Sequence, residues 1–102
     1  MSTPLSLTRT DLIRSANFIA GQWAAYAGPR LDVTNPATGA VITSVPDSGA
    51  PEALAALDAA HAAFPIWRKV PAKQRAAIIK RWNDLVVAHS DDLGALISME
   101  QG

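Results

Sequence analysis

The stretch Val33–Pro46, VTNPATGAVITSVP, decides how the rest of the chain is interpreted. Two apolar, β-branched runs flank residues 35–39, Asn-Pro-Ala-Thr-Gly. Asn at the start of a turn, Pro at the next position and a Gly that can adopt positive φ are typical of a four- or five-residue hairpin loop. We therefore predict an antiparallel hairpin with strands 31–34 and 40–45, which Pro46 ends. A hairpin this short is not a binding site by itself, so its role depends on its neighbours.

A second hairpin is predicted upstream, in the stretch 17–26, NFIAGQWAAY. Its turn dipeptide is Ala20-Gly21, whereas a two-residue type I′ turn favours Asn-Gly because both positions need positive φ. Either Ala20 is strained or the turn is of another type. Before this hairpin, Thr10 is predicted to cap a short helical turn. The Ser/Thr/Pro-rich residues 1–9 are predicted to be flexible.

From Ser48 onward the pattern becomes helical. Pro51 and Glu52 suit the first turn of a first helix, which Pro65 is predicted to end before a loop containing Trp67. The side chains that repeat every three to four residues along this helix are Leu54, Leu57, His61 and Phe64.

A second and a third helix follow. The second is predicted over Lys73–His89 and carries one apolar stripe. Ser90 is predicted to cap the third helix, with Asp91 and Asp92 in its first turn. The stripe of the second helix consists of Ile78, Trp82, Leu85 and Val86.

The composition limits the possible functions. The 102 residues are 49% hydrophobic, with nine basic and nine acidic side chains, which indicates one ordinary domain with a modest core or a piece of one. Because there is no cysteine, a disulfide, a thiolate metal site and a cysteine nucleophile are all excluded. No apolar run approaches the roughly 20 residues that span a bilayer, so no membrane partner is expected and a cytoplasmic location is predicted.

Few side chains suggest chemistry. His61 and His89 are on different predicted helices, where a lone histidine is usually a boundary residue, and the glycines form no phosphate-binding pattern. A local excess of six positive charges could indicate a nucleic-acid surface. We favour a solvated or salt-bridged face without nucleic acid, because no aromatic residues interleave with the charges. The six are Arg68, Lys69, Lys73, Arg75, Lys80 and Arg81.

Four motifs in order resemble the N-terminal segment of the aldehyde dehydrogenase superfamily. They are FIAGQW, the hairpin stretch beginning DVTNPATGAV, the long run AALDAAHAAFPIWRKVPAKQRAAIIKRWNDLV and the ending DDLGALISMEQG. The resemblance covers residues 10–102, and within the superfamily it is to the bacterial succinate-semialdehyde dehydrogenases. It departs from the family pattern at Ala20, where Asn is common.

The resemblance implies an NAD- or NADP-dependent oxidation of succinate semialdehyde to succinate through a cysteine thioester. It also implies an α+β segment of an α/β enzyme: hairpins and about three helices that form the outer part of the cofactor-binding domain, without its Rossmann-like sheet. Residues 10–102 are then a truncated domain that is inactive and binds no cofactor alone. The expected partners are the rest of the dehydrogenase chain and identical subunits in a dimer or tetramer.

The resemblance further implies a possible monovalent cation site. Its matching positions are Val33 and Thr34, which supply backbone carbonyls, and Glu100, which supplies a carboxylate. Oxygen donors of this kind suit a hard cation. Glu100 as an ordinary helix-end carboxylate is the alternative.

Two alternative functions remain open from the sequence. One is a dehydrogenase for another aldehyde, such as glutarate semialdehyde, and the other is a free-standing, non-catalytic interaction module. In either case we expect the isolated chain to expose apolar surface and to self-associate, since it carries more apolar surface than thin helices and a hairpin can hide. The residues that supply this surface are Phe64, Ile78, Trp82, Leu85 and Ile97.

Overall fold

A computed structural model describes residues 7–102 and shows two small antiparallel hairpins followed by three helices, as predicted. Residues 1–6 of the predicted flexible segment 1–9 lie outside the described residues. A 3-10 turn at Thr10–Leu12 precedes the hairpins. The strands are β1 (Asn17–Ile19), β2 (Gln22–Ala24), β3 (Arg30–Thr34) and β4 (Val41–Pro46), and the helices are α1 (Ala50–Trp67), α2 (Ala72–Ala88) and α3 (Ser90–Gln101).

The first hairpin pairs β1 with β2 around a strained turn. Ala20 has φ +54° and Gly21 has φ +76°, so both turn residues are in the left-handed region and the strained alternative holds at Ala20. Phe18 pairs with Trp23 across the strands, and their ring centroids are 4.9 Å apart. The guanidinium of Arg14 lies 4.4 Å from the centre of the Trp23 ring, which makes this face a cation–aromatic stack.

The second hairpin pairs β3 with β4 through the predicted turn. The Asn35 side-chain oxygen accepts a hydrogen bond from the Ala37 N–H at 2.9 Å, and the Asn35 backbone N–H donates to the Ala40 carbonyl at 2.9 Å. Gly39 has φ +76° and closes the loop by donating to the Asn35 carbonyl. A bulge interrupts the register next to Val33. The sequence prediction of this loop is confirmed in its residues and in the positive φ of Gly39. The prediction that Pro46 ends the second strand was wrong, because β4 includes Pro46, which pairs with Arg30.

The first helix differs from its prediction at the C-terminal end. Pro65 lies inside α1, which ends two residues later at Trp67. Proline removes the N–H that would donate to the His61 carbonyl, and its ring crowds that carbonyl, so Pro65 weakens the last turns of α1 without ending the helix. The prediction that Pro65 ends α1 was therefore wrong, and Trp67 is helical rather than part of a loop.

The helix starts show which predicted caps form. Glu52 accepts a hydrogen bond from the Gly49 N–H at 3.1 Å, which supports its predicted place in the first turn of α1. Ser90 and Thr10 are instead the first residues of their helices, with His89 and Arg9 at the cap positions and no side-chain cap hydrogen bond. Both capping predictions were wrong. Helix α2 begins and ends one residue before its prediction.

The described residues form a layer without a core. Their radius of gyration is 17.0 Å, whereas a compact chain of this length has about 13 Å. No apolar side chain among residues 7–102 is buried, so the modest core expected from composition does not form. The five side chains predicted to supply exposed apolar surface are each more than half exposed: Phe64, Ile78, Trp82, Leu85 and Ile97. The prediction of exposed apolar surface is confirmed.

Candidate functional site

The fold brings together the elements that carry the predicted cation ligands. Val33 and Thr34 are the last two residues of β3, and Glu100 lies in the last turn of α3, which packs on β3. The end of α3 also meets the turn that follows β3, since a Cβ on Gly102 would lie 3.1 Å from Pro36 Cγ. The strand end and the helix end are therefore neighbours.

The electrostatics at this place suit a positive charge. The carbonyl end of a helix carries a partial negative charge, and the last turn of α3 holds Glu100 but no basic residue. Within the described part of the chain, no group of three or more His, Cys, Asp or Glu side chains could hold a metal ion. A site here would therefore rely on backbone carbonyls and one carboxylate, the donor set of a hard cation.

A second cluster, at the corner between α2 and α3, was missed in the sequence. Asp92 is the one buried charged residue in the described range, with 8% of its surface exposed. Its two carboxylate oxygens accept the backbone N–H groups of Thr8 at 2.9 Å and Arg9 at 3.1 Å. The sequence predicted only a helix-capping role for Asp91 and Asp92, because the 84 positions between Thr8 and Asp92 leave no local signal.

The Arg9 side chain extends this cluster. Its guanidinium forms an ion pair with Asp11 and lies with Nη1 3.2 Å from His89 Nε2. The hydrogen bond to Arg9 lowers the pKa of Asp11, and the same bond raises the pKa of Arg9. The cluster thus contains an ion pair that keeps its charges over the ordinary pH range.

Polar contacts also hold the two hairpins together. Arg30 donates to the Ser44 hydroxyl at 3.0 Å and to the carbonyl of Ser15 before the first hairpin. The Tyr26 hydroxyl donates to the Asp47 carbonyl at 2.8 Å. Arg30 and Tyr26 are therefore two of the side chains that fix the hairpins relative to each other, together with Asn17 of β1, whose side-chain amide donates to the Ser48 hydroxyl at 2.7 Å.

The remaining candidates do not form a site. His61 is on the exposed surface of α1, whereas His89 lies at the α2–α3 corner. Of the six basic residues, Lys80 pairs with Asp84 at 3.8 Å, and both side chains are largely exposed, so the pair contributes little stability. This observation agrees with a solvated basic face.

Comparison with known proteins identifies the class of protein. Residues 23–102 match the aldehyde dehydrogenase family, so the chain belongs to that family. The superfamily resemblance predicted from the motifs is confirmed.

Individual relatives narrow the comparison. The chain is 46% identical over 99 residues to the NADP⁺-dependent succinate-semialdehyde dehydrogenase GabD of Escherichia coli K12, covering 96% of this chain and 20% of that protein. It is 42% identical to the glutarate-semialdehyde dehydrogenase of Pseudomonas putida KT2440, covering 96% and 21%. A crystal structure of an aldehyde dehydrogenase from Brucella melitensis biovar abortus superposes with a TM-score of 0.91 at 37% identity, covering 96% and 20%.

These comparisons confirm the fold and show how much of a relative's length the chain spans. The hairpins and helices correspond to a part of a solved aldehyde dehydrogenase, as predicted. The chain spans about one fifth of the length of the curated relatives it matches. Among the helices of the described residues, none has the length and apolar character needed to cross a membrane.

Proposed function

We propose that these residues are the N-terminal structural segment of a dehydrogenase that oxidises succinate semialdehyde to succinate with NAD or NADP. The observation that carries the proposal is the absence of a buried apolar side chain in residues 7–102, combined with a match to one fifth of a dehydrogenase. Apolar helix faces of this extent need a cover, because burying apolar area is the main favourable term in folding. The cover is the rest of the dehydrogenase chain.

The chemistry of the proposed reaction lies outside these residues. Aldehyde oxidation through a thioester needs a cysteine thiolate, and the sequence has no cysteine. The glycines also lack the spacing of a phosphate-binding loop, so the residues present do not fit a nicotinamide dinucleotide and none is assigned to it. The segment acts by supporting the domain that carries both groups, and alone it is inactive.

Sequence identity favours succinate semialdehyde over the alternative substrate by only a few per cent. The succinate-semialdehyde dehydrogenase relative is 46% identical and the glutarate-semialdehyde relative is 42% identical over the same number of residues. Glutarate semialdehyde, longer by one methylene, is therefore the alternative substrate. The proposed dimer or tetramer and the cytoplasmic location stay predictions.

The test is an assay of the protein as its source organism makes it. We expect reduction of NAD⁺ or NADP⁺ that depends on succinate semialdehyde, with a higher kcat/KM than for glutarate semialdehyde. The 102-residue chain assayed alone is the matched control and should be inactive with both. Preference for glutarate semialdehyde would refute the proposed substrate. Absence of activity with any semialdehyde would refute the proposal that the protein is a semialdehyde dehydrogenase.

We also propose that Val33, Thr34 and Glu100 hold a monovalent cation in the native protein. Support comes from the contact between α3 and β3 and from the negative end of α3. Replacing Glu100 by Gln should raise the potassium or sodium concentration needed for half-maximal thermal stabilisation, whereas Glu52→Gln should leave it unchanged. If both variants needed the same potassium or sodium concentration for half-maximal stabilisation, the proposed cation site would be refuted.

A further inference from the structure

The segment Leu7–Ile13, here called the strap, is held on the corner between α2 and α3. Two of its backbone N–H groups donate to the buried carboxylate of Asp92, which lies 84 and 83 positions away in sequence from the donors. Leu12 of the strap lines one open groove of about 250 Å³ together with four apolar residues of the helices. These are Trp82, Leu85, Val86 and Leu93. The strap therefore places one apolar side chain, Leu12, at the edge of this groove.

One contact of the strap depends on a proton. Arg9 Nη1 lies 3.2 Å from His89 Nε2. An arginine side chain has only donors, so a hydrogen bond at this contact requires a neutral His89 ring that accepts at Nε2 and carries its proton on Nδ1. A histidine that gains its second proton can no longer accept from Arg9.

We propose that the strap is a pH-responsive segment, held on the α2–α3 corner while His89 is neutral and loosened when His89 gains a proton. Protonation places a second cation against the Arg9 guanidinium, where like charges repel. The new His89 N–H then competes for carboxylates in its surroundings.

The charges around His89 give the direction of this response. The recess beside it is lined by Arg9 of the strap and by Asp91 and Asp92 of α3. Asp11 is already paired with Arg9. From α2, the groove-lining side chains are uncharged. Protonated His89 is therefore drawn to the α3 carboxylates, including the one that holds the strap, while Arg9 is repelled.

The test is hydrogen–deuterium exchange of the peptide covering residues 7–14 in the protein as its source makes it. Protection factors, corrected for intrinsic exchange, are compared at pH 7.5 and pH 5.5. We expect roughly a fivefold loss of protection at pH 5.5, the size of one lost ordinary hydrogen bond. Unchanged protection would overturn the proposal.

Two histidine variants separate this device from general acid loosening. In His89→Gln, an amide oxygen accepts from Arg9 at both pH values, so the pH dependence should vanish. His61→Gln, which changes the exposed histidine on α1, should keep the wild-type response. If His89→Gln retained the full response, the proposal would be wrong.

A second pair tests the anchor independently of pH. Asp92→Asn removes the anion that accepts both strap N–H groups, so protection of residues 7–14 should fall at both pH values. Asp91→Asn, at the neighbouring position, should leave protection at pH 7.5 near wild type. Equal effects of the two variants would show that the strap is not held by Asp92.

Discussion

The hairpin region, residues 7–49, and the helical region, residues 50–102, are stabilised in different ways. The hairpin region is tied by side chains that donate to or accept from the backbone, such as Arg30, Asn35 and Tyr26. Within the described helical region, the one polar contact between side chains is the exposed Lys80–Asp84 pair. The comparison teaches that the hairpins specify their own geometry, whereas the helices present apolar faces that need a cover from outside residues 7–102.

The largest expected effect on stability tests the need of the helices for a cover. Ile78→Ala in the native protein should lower the free energy of unfolding by about 3 kcal/mol, because the proposed cover by the rest of a dehydrogenase chain would bury Ile78, which is 54% exposed here. Arg81→Ala on the same helix is the control and should change stability by less than about 0.5 kcal/mol. Urea unfolding measures both. Equal, small effects would mean that α2 stays uncovered.

The next effect concerns the contact that joins the hairpins. A Cβ at Gly28 would lie 2.7 Å from the Tyr26 hydroxyl oxygen, so Gly28→Ala should displace this ring and break its bond to the Asp47 carbonyl. The expected loss is about 1 kcal/mol. Gly94→Ala, in α3 with nothing within 4 Å, should instead stabilise by about 0.5–1 kcal/mol. Thermal unfolding measures the stability of both variants. Changes in melting temperature of the same sign would contradict the account.

A gain of stability is expected at the strained turn. Ala20 has φ +54°, so Ala20→Gly should stabilise the native protein by about 0.5–1 kcal/mol. Gly21→Ala at φ +76° is the opposite change in the same turn and should destabilise by a similar amount. Chemical denaturation compares them. Destabilisation by Ala20→Gly would show that the turn is not strained.

The smallest effect is a pH dependence from Tyr26. Partial burial raises the pKa of Tyr26, and the charges of Glu52 and Asp47 raise it further. The neutral phenol is therefore favoured by folding: its contribution to stability is complete below the ordinary pKa of about 10 and is lost as pH rises through the higher folded value. Tyr26→Phe should show a shallower loss of stability than wild type above pH 10. Identical slopes would contradict this assignment.

Local signals predicted the elements well. The Asn35-to-Gly39 loop, the two hairpins and three helices follow from turn chemistry and periodicity, which act over a few residues. Non-local contacts were not predictable in the same way. The Asp92 anchor joins positions more than 80 residues apart, and α1 continues past Pro65 to Trp67, although proline usually marks the end of a helix. The cation site rests on the resemblance, and no periodicity indicates it.

The central claim is that residues 7–102 form a supporting layer of a larger dehydrogenase. The most direct measurement is the intact mass of the protein as its source organism makes it. The account predicts about five times the 10.7 kDa of these 102 residues, since they span 20% of a relative's length. A mass of about 10.7 kDa would contradict it and would mean that the exposed helix faces serve a separate interaction module.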